Sequence, residues 1–196
     1  MIWNEHLIAR AISLQTLARK CVLLVDNCNW TGHECDVLGV TTDLRIIDVE
    51  VKISRSDLKA DAKKEKWWHR LTWREKDEAG LIPGSKEWYD AGHRVEHPRK
   101  VWKHYYALPK EIWTPELLDA LPSKSSGVLL VTERSGRIEV MCYRRATPNK
   151  DAYRLTPENV IDVARLANLR MWDSYYRLDI ASRETNYWRE QAKAVA

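Results

Sequence analysis

Glu34 to Lys63 reads ECDVLGVTTDLRIIDVEVKISRSDLKADAK, and the fold turns on how this stretch is read. It holds two short apolar runs, each carrying acidic residues at alternate positions, followed by a charged helix start. Successive side chains on a strand point to opposite faces. On the first run, Glu34, Asp36 and Leu38 are therefore expected on one face, with Cys35, Val37 and Gly39 on the other. On the second, Ile47, Val49, Val51 and Ile53 form an apolar face, while Asp48, Glu50 and Lys52 share the opposite one. Carboxylates and an ammonium thus sit at the polar edge of an otherwise buried sheet. Burying such groups costs several kcal/mol each unless a partner or a metal compensates. That cost marks the stretch as a candidate site.

Outward from it, the chain alternates elements in a recognisable order. Trp3 to Lys20 carries apolar residues at Trp3, Leu7, Ala11, Leu14 and Ala18, the pattern of an amphipathic helix. Cys21 to Val25 is a short apolar strand, and Asn27 to Gly32 is turn-rich. After the two acidic strands, Ser54 or Ser56 caps a helix expected to run to about Lys76, with Asp57 in its first turn. Pro83 and Gly84 mark a loop, and Lys86 to Gly92 suits a short helix. Val101 to Leu108 returns to strand character, and Thr114-Pro115-Glu116 opens a short helix. Gly127 to Thr132 and Arg137 to Tyr143 read as a hairpin around Glu133-Arg134-Ser135-Gly136. Thr156-Pro157-Glu158 opens a C-terminal helical region over 156–196, whose stripe of Val160, Ala164, Ala167, Met171, Tyr175 and Leu178 is expected to pack on the sheet or on another subunit. A helix between two strands normally crosses over to a parallel partner. The expected class is α/β with a mixed sheet, antiparallel at first and parallel after the crossover.

Composition bounds the rest. A chain of 196 residues suits one domain over 1–196 with a substantial core. The longest apolar runs, Cys21 to Val25 and Val128 to Val131, fall far short of the ~20 residues that span a bilayer. The start, MIWNEHLIAR, has an early Glu and no apolar segment of signal-peptide type, so a cytoplasmic protein without membrane association is expected. Cys21, Cys28, Cys35 and Cys142 lack CxxC spacing; Cys28, His33 and Cys35 could join a metal site, but free thiols in a reducing compartment are favoured. The net charge is +4, and its whole excess lies between Lys63 and His104, with eleven Lys and Arg against seven Asp and Glu. Five of the ten Trp fall there too, which fits phosphate pairing and base stacking on nucleic acid. A helical hairpin that buries its Trp and turns its charges to water would have the same composition.

Phosphodiester hydrolysis needs an activated water and a stabilised developing charge, and carboxylate-held Mg²⁺ supplies both. Acid-x-Lys occurs as Glu50-Val51-Lys52, Asp57-Leu58-Lys59 and Asp61-Ala62-Lys63, and only the first lies in an apolar strand with an acidic strand before it. Asp36, a gap of 13 residues, then Glu50-Val51-Lys52 resembles the PD-(D/E)XK nuclease superfamily. The run VEVKISRSDLKADAKKEKW is similar to the MmcB-like DNA-repair branch, as are HYYALPKEI and SGVLLV further on. The resemblance covers roughly Trp3 to Arg145 with one gap, and Cys35 stands where proline is usual.

The resemblance implies a restriction-endonuclease-like αβββαβ core and a Mg²⁺- or Mn²⁺-dependent nuclease. It assigns Asp36, Glu50 and the Val51 carbonyl to the metal, and Lys52 to the attacking water. Glu5 on the first helix is the candidate to complete the site, with Glu34 competing. Asp57, Asp61 and Lys63 match the branch's helix motif. Arg55, Lys59, Lys63, Arg70 and Arg74 are the candidate phosphate contacts, although exposed helix charges would look the same. The 68–99 segment is a basic, Trp-rich insertion, expected to be helical. Three readings follow. One is an endonucleolytic deoxyribonuclease of DNA repair, processing or phage–host conflict, acting on DNA rather than RNA. Another is a catalytically silent nuclease-fold accessory that binds DNA or protein. The third is a homodimer formed through the insertion and last helix.

Overall fold

The computed structural model describes residues 2–195, so Met1 and Ala196, the ends of the expected domain, lie outside it. Helix α1 (Glu5–Ile12) is capped by Asn4, whose side chain accepts from the Leu7 N–H at 2.8 Å, and it continues as a π turn over Ser13–Leu17. Strands β1 (Cys21–Cys28), β2 (Cys35–Thr41) and β3 (Ile46–Val51) follow as an antiparallel meander. Helix α2 (Arg55–Ala60), capped by Ser54, leads through two 3₁₀ turns, Asp61–Lys63 and Glu65–Trp67, into the inserted segment. Strand β6 (Val101–Pro109) then pairs parallel with β3, and β7 (Gly127–Arg134) pairs parallel with β6. Strand β8 (Arg137–Arg144) closes the sheet antiparallel to β7, giving the order β1-β2-β3-β6-β7-β8. The mixed α/β sheet expected from the strand–helix–strand order is present. The β7–β8 turn puts Ser135 and Gly136 at φ 49° and 74°, the left-handed pair of a tight hairpin.

Two expectations are corrected. The helix after Ser54 ends at Ala60 instead of near Lys76. The chain tightens into 3₁₀ turns there because Asp61, Lys66 and Trp67 turn inward and are buried beneath it. The insertion is mixed, not purely helical. It contains the ribbon β4 (Trp68–Arg70) and β5 (Gly92–Arg94) with two short helices, α3 (Trp73–Glu78) and α4 (Lys86–Asp90). The edge-on pair of Trp73 and buried Trp88 staples those helices together.

Both faces of the sheet are covered. On one, Ile8, Ile12 and Leu17 pack against Val37, Ile47, Val49, Val51, Ala107 and Leu129. On the other, Leu38, Val40 and Ile46 meet Leu155 and Val163, while Leu58, Trp67, Tyr106 and Leu130 form a second cluster. Helix α5 (Pro157–Val195) packs through Val160, Val163, Leu166 and Ala167, and Arg170 donates to the Asn27 carbonyl at 3.0 Å. Past that point Met171, Tyr175 and Leu178 of the expected stripe are exposed. The helix surface there is laced by Asp173–Arg177 and Asp179–Arg183 pairs at 2.9 and 2.7 Å. No helix among the described residues is long and apolar enough to cross a membrane.

Gly127 shows how closely the central strands approach. A Cβ at this position would fall 2.3 Å from the Tyr105 ring and 2.7 Å from the Ala146 nitrogen. Gly127→Ala is expected to cost about 1–3 kcal/mol, the usual range for overpacking, as a lowered urea midpoint.

Candidate functional site

Strand β3 is central and buried on both faces, so its alternation sends Val49 and Val51 toward α1 and leaves Asp48 and Glu50 no water. Lys52 extends the ladder, its N–H donating to the Ala107 carbonyl at 2.9 Å, and it too is buried. The 3₁₀ turns after α2 fold Asp61, Lys64 and Lys66 over these groups. Strand β6 contributes His104 and Tyr106 from the register positions opposite Asp48 and Glu50.

The result is a buried ionic cluster in which three ammonium groups face three carboxylates. Glu50 Oε2 accepts from Lys52 at 3.0 Å and from Lys64 at 2.9 Å, while the Lys66 ammonium lies 2.7 Å from Oε1. Asp61 Oδ1 is 3.1 Å from Lys52 and 2.9 Å from Lys64. Its Oδ2 accepts from the Tyr106 hydroxyl and from the Trp67 indole at 3.2 Å. Asp48 is held more loosely, 3.9 Å from Lys66 and 3.7 Å from His104, and its Oδ1 has no hydrogen-bond partner.

Electrostatics sort these groups. Burial pushes Asp61 up, but Lys66 and Lys52 outweigh it and hold the carboxyl below its ordinary range. Lys66 is opposed by burial yet held above its usual value by Asp48, Glu50 and Asp61, so it stays charged. His104 is driven well below its usual value by burial and by Lys66, so it is neutral. An ammonium has no lone pair, so across the 3.2 Å contact it donates to His104 Nε2. The ring proton therefore lies on Nδ1, which donates to Ser126 Oγ at 3.0 Å. Asp48 is raised to about 7 by burial, with Lys66 opposing and Glu50 adding to the rise.

Asp36 does not join the cluster. Its carboxylate accepts from the Val51 N–H at 2.6 Å and lines a cavity of about 140 Å³ with Glu5, His6 and Asp26, on the side of α1. Cys35, expected beside Val37, packs with Leu38 instead. The β2–β3 ladder begins only at Val37, so residues 35 and 36 are tied to β1 alone and twist away from strict alternation. Burial, helped by the charges of Glu50 and Glu5, raises Asp36 to about 6. Glu5 is exposed, and so is Glu34, which lies with Lys64 and Lys66 along a separate 270 Å³ cavity. The structure thus brings Glu50 and Lys52 into direct contact, places Asp36 and Glu5 together at the smaller cavity with Asp36 still within electrostatic reach of Glu50 and Lys52, and anchors Asp36 on the Val51 N–H.

A hydrated divalent ion does not fit this arrangement. Ammonium groups already cover both Glu50 oxygens, and Glu50 is 1% exposed. Among the described residues, no three His, Cys, Asp or Glu side chains form a group that could hold a metal ion. Cys21, Cys28, Cys35 and Cys142 are free thiols.

Of the candidate phosphate contacts, Arg55, Lys59 and Lys63 are exposed along α2 and its 3₁₀ extension, at a spacing of four. Arg55 donates to the Ile112 carbonyl at 2.7 Å, whereas Lys59 and Lys63 make no ion pair among the described residues. Arg70 and Arg74 are engaged by Glu65 and Glu78 at 2.9 and 2.8 Å. Sequence reasoning missed Lys64, Lys66, His104 and Tyr106. The Lys64-Glu65-Lys66 triplet was the available signal, but only the 3₁₀ geometry sends its lysines inward.

No protein-family model matches the chain, and no curated protein matches it. Among solved structures it is similar to the SPO1766 protein of unknown function from Silicibacter pomeroyi, at a TM-score of 0.51 and 19% identity, over 91% of this chain and 94% of that one. That likeness supports the mixed α/β fold.

Two outcomes follow from the cluster. Lys66→Ala strips a fully buried partner from Glu50 and should cost about 3–5 kcal/mol, whereas Lys64→Ala, at a position water can reach, should cost well under half of that in urea unfolding. A carboxyl whose folded pKa is raised binds its proton more tightly when folded, so it withdraws stability as pH climbs through the interval between the two values. Asp36 and Asp48 do so between about pH 4 and pH 7, while Asp61 loses its contribution only as pH falls toward its depressed value. Asp48→Asn should therefore flatten the decline of the urea midpoint between pH 4 and pH 7.

Proposed function

We propose that this chain is a nucleic-acid-binding protein built on a restriction-endonuclease-like core, in which the acid-x-Lys strand serves structure and does not hold a metal. The observation that carries this reading is the saturation of Glu50 and Asp61 by Lys52, Lys64 and Lys66. Carboxylates paired in this way with ammonium groups do not present the open set of oxygen ligands that a Mg²⁺ site requires. Above it, exposed Arg55, Lys59 and Lys63 form a ridge suited to phosphates, and the chain's net charge is +4. DNA is the expected partner, through the likeness of the Glu34 to Lys63 stretch to DNA-repair relatives.

A second reading, a Mg²⁺- or Mn²⁺-dependent deoxyribonuclease, is favoured by one observation. Asp36 is held at a pKa of about 6 by burial and by the charges of Glu50 and Glu5, a strain that a cation would relieve. Lys64 is about half exposed and is the one ammonium with a path out of the cluster.

One comparison separates the readings. Linear, circular, single-stranded and branched DNA are incubated with Mg²⁺ or Mn²⁺ and native or Lys52→Ala protein, beside filter binding in chelator. The binding reading expects no cleavage, chelator-insensitive affinity, and a loss of about tenfold or more in Lys59→Glu/Lys63→Glu. Cleavage that requires the ion and disappears in the Lys52 variant would establish the nuclease.

A further inference from the structure

A second charged feature lies through the sheet from the ionic cluster. Neighbouring side chains of β6 alternate, so His104 and Tyr106 reach the cluster while Lys103 and Tyr105 open on the side of α1. There they line a cavity of about 690 Å³, within the range of small-molecule sites. Its floor is apolar, formed in part by Leu17, Ile47 and Leu129.

The rim is strongly basic. Arg19 and Lys20 come from the turn after the π segment, Lys103 from β6, and Arg145 from the residue after β8. Among the described residues none of the four has an ion pair. The single carboxylate in the lining, Asp43, is committed elsewhere. It lies 3.3 Å from the Arg45 guanidinium and accepts from the Thr41 hydroxyl at 2.6 Å. Lys103 rests 4.2 Å from the Trp102 ring centroid, a contact that steers the ammonium without neutralising it. Burial, and then the charges of Lys20 and Arg145, lower its pKa, with the Asp43 carboxylate opposing them last and least. Three separate segments thus place four cations around one concavity with no ion pair of their own among the described residues, a mutual repulsion that a bound polyanion removes.

We propose that this cavity binds a phosphorylated ligand of nucleotide size, with its phosphates on the Arg19, Lys20, Lys103 and Arg145 rim and its less polar body on the apolar floor. Several phosphates suit four cations better than one, and a concave, part-apolar pocket suits a nucleoside better than inorganic phosphate alone. The same chemistry is offered by a free nucleoside triphosphate and by the phosphorylated end of a single strand. The site stands apart from the α2 ridge, on the opposite face of the sheet, and does not depend on the reading of that ridge.

The test uses ATP without added metal, inorganic triphosphate, and a 5′-phosphorylated hexathymidylate as calorimetric probes of the full chain. The variants are Lys20→Glu/Arg145→Glu, both at exposed positions, and Lys59→Glu/Lys63→Glu on the other face. Saturable binding of ATP or of the oligonucleotide, weakened at least tenfold by the first variant and unchanged by the second, is the expected result. Tighter binding of ATP identifies a free nucleotide, and tighter binding of the oligonucleotide identifies a strand end. Affinity for inorganic triphosphate equal to that for both larger probes would remove the role of the floor and overturn the proposal. So would the absence of binding by all three, or equal affinity in the native protein and a Lys20→Glu/Arg145→Glu variant with a native melting profile.

Discussion

Everything around the candidate site depends on the balance between the Glu50 and Asp61 carboxylates and the Lys52, Lys64 and Lys66 ammonium groups. A lone buried charge of this kind is prohibitively unstable, and mutual compensation is what allows Glu50, Asp61, Lys52 and Lys66 to occupy the interior, with half-exposed Lys64 closing the set. The compensation sets local geometry. Helix α2 stops at Ala60 because the next residue, Asp61, must accept from Tyr106, Trp67 and two lysines at once. The 3₁₀ turns that follow deliver Lys64 and Lys66 to Glu50 from above, closing the crossover between β3 and β6 over the polar face.

The same balance decides what chemistry the strand can do. A carboxylate at the end of a sheet strand is a metal ligand only when its lone pairs are directed at a shared, wet point. Here they are directed at ammonium groups, and the third carboxylate of the motif, Asp36, is anchored to the Val51 N–H on the side of α1. The acid-x-Lys signature lies inside this paired cluster. Its lysine neutralises the glutamate that it follows. Buried charge also explains the role of His104, which stays neutral and links Lys66 to Ser126, so that the ammonium has an acceptor besides the carboxylates.

Charge placement separates the two faces of the sheet. On the α2 side the interior cations are matched by carboxylates, and the excess appears as an exposed ridge. On the α1 side four cations gather at a cavity mouth whose one lining carboxylate, Asp43, is paired with Arg45. The basic segment between Lys63 and His104 therefore does not act as one patch. Some of its lysines are structural counterions, Arg70 and Arg74 are engaged by neighbouring glutamates, and Lys103 belongs to a rim completed by residues remote in sequence.

Local pattern by itself determined the main-sheet strands, their mixed order, the Ser54 and Thr156 helix starts, the tight turn before Arg137, and the placing of Asp48, Glu50 and Lys52 on one side of a buried strand. These follow from side-chain period and turn chemistry, which act over a few residues and are written in neighbouring letters. Tertiary structure alone decided that Asp36 is anchored on the Val51 N–H, that Lys64 and Lys66 reach Glu50, that the insertion forms a ribbon, and that Arg19, Lys20, Lys103 and Arg145 share a cavity. Each of those outcomes depends on which distant segment lies within about one Debye length or one hydrogen bond, and long-range electrostatics leaves no periodic trace in the chain.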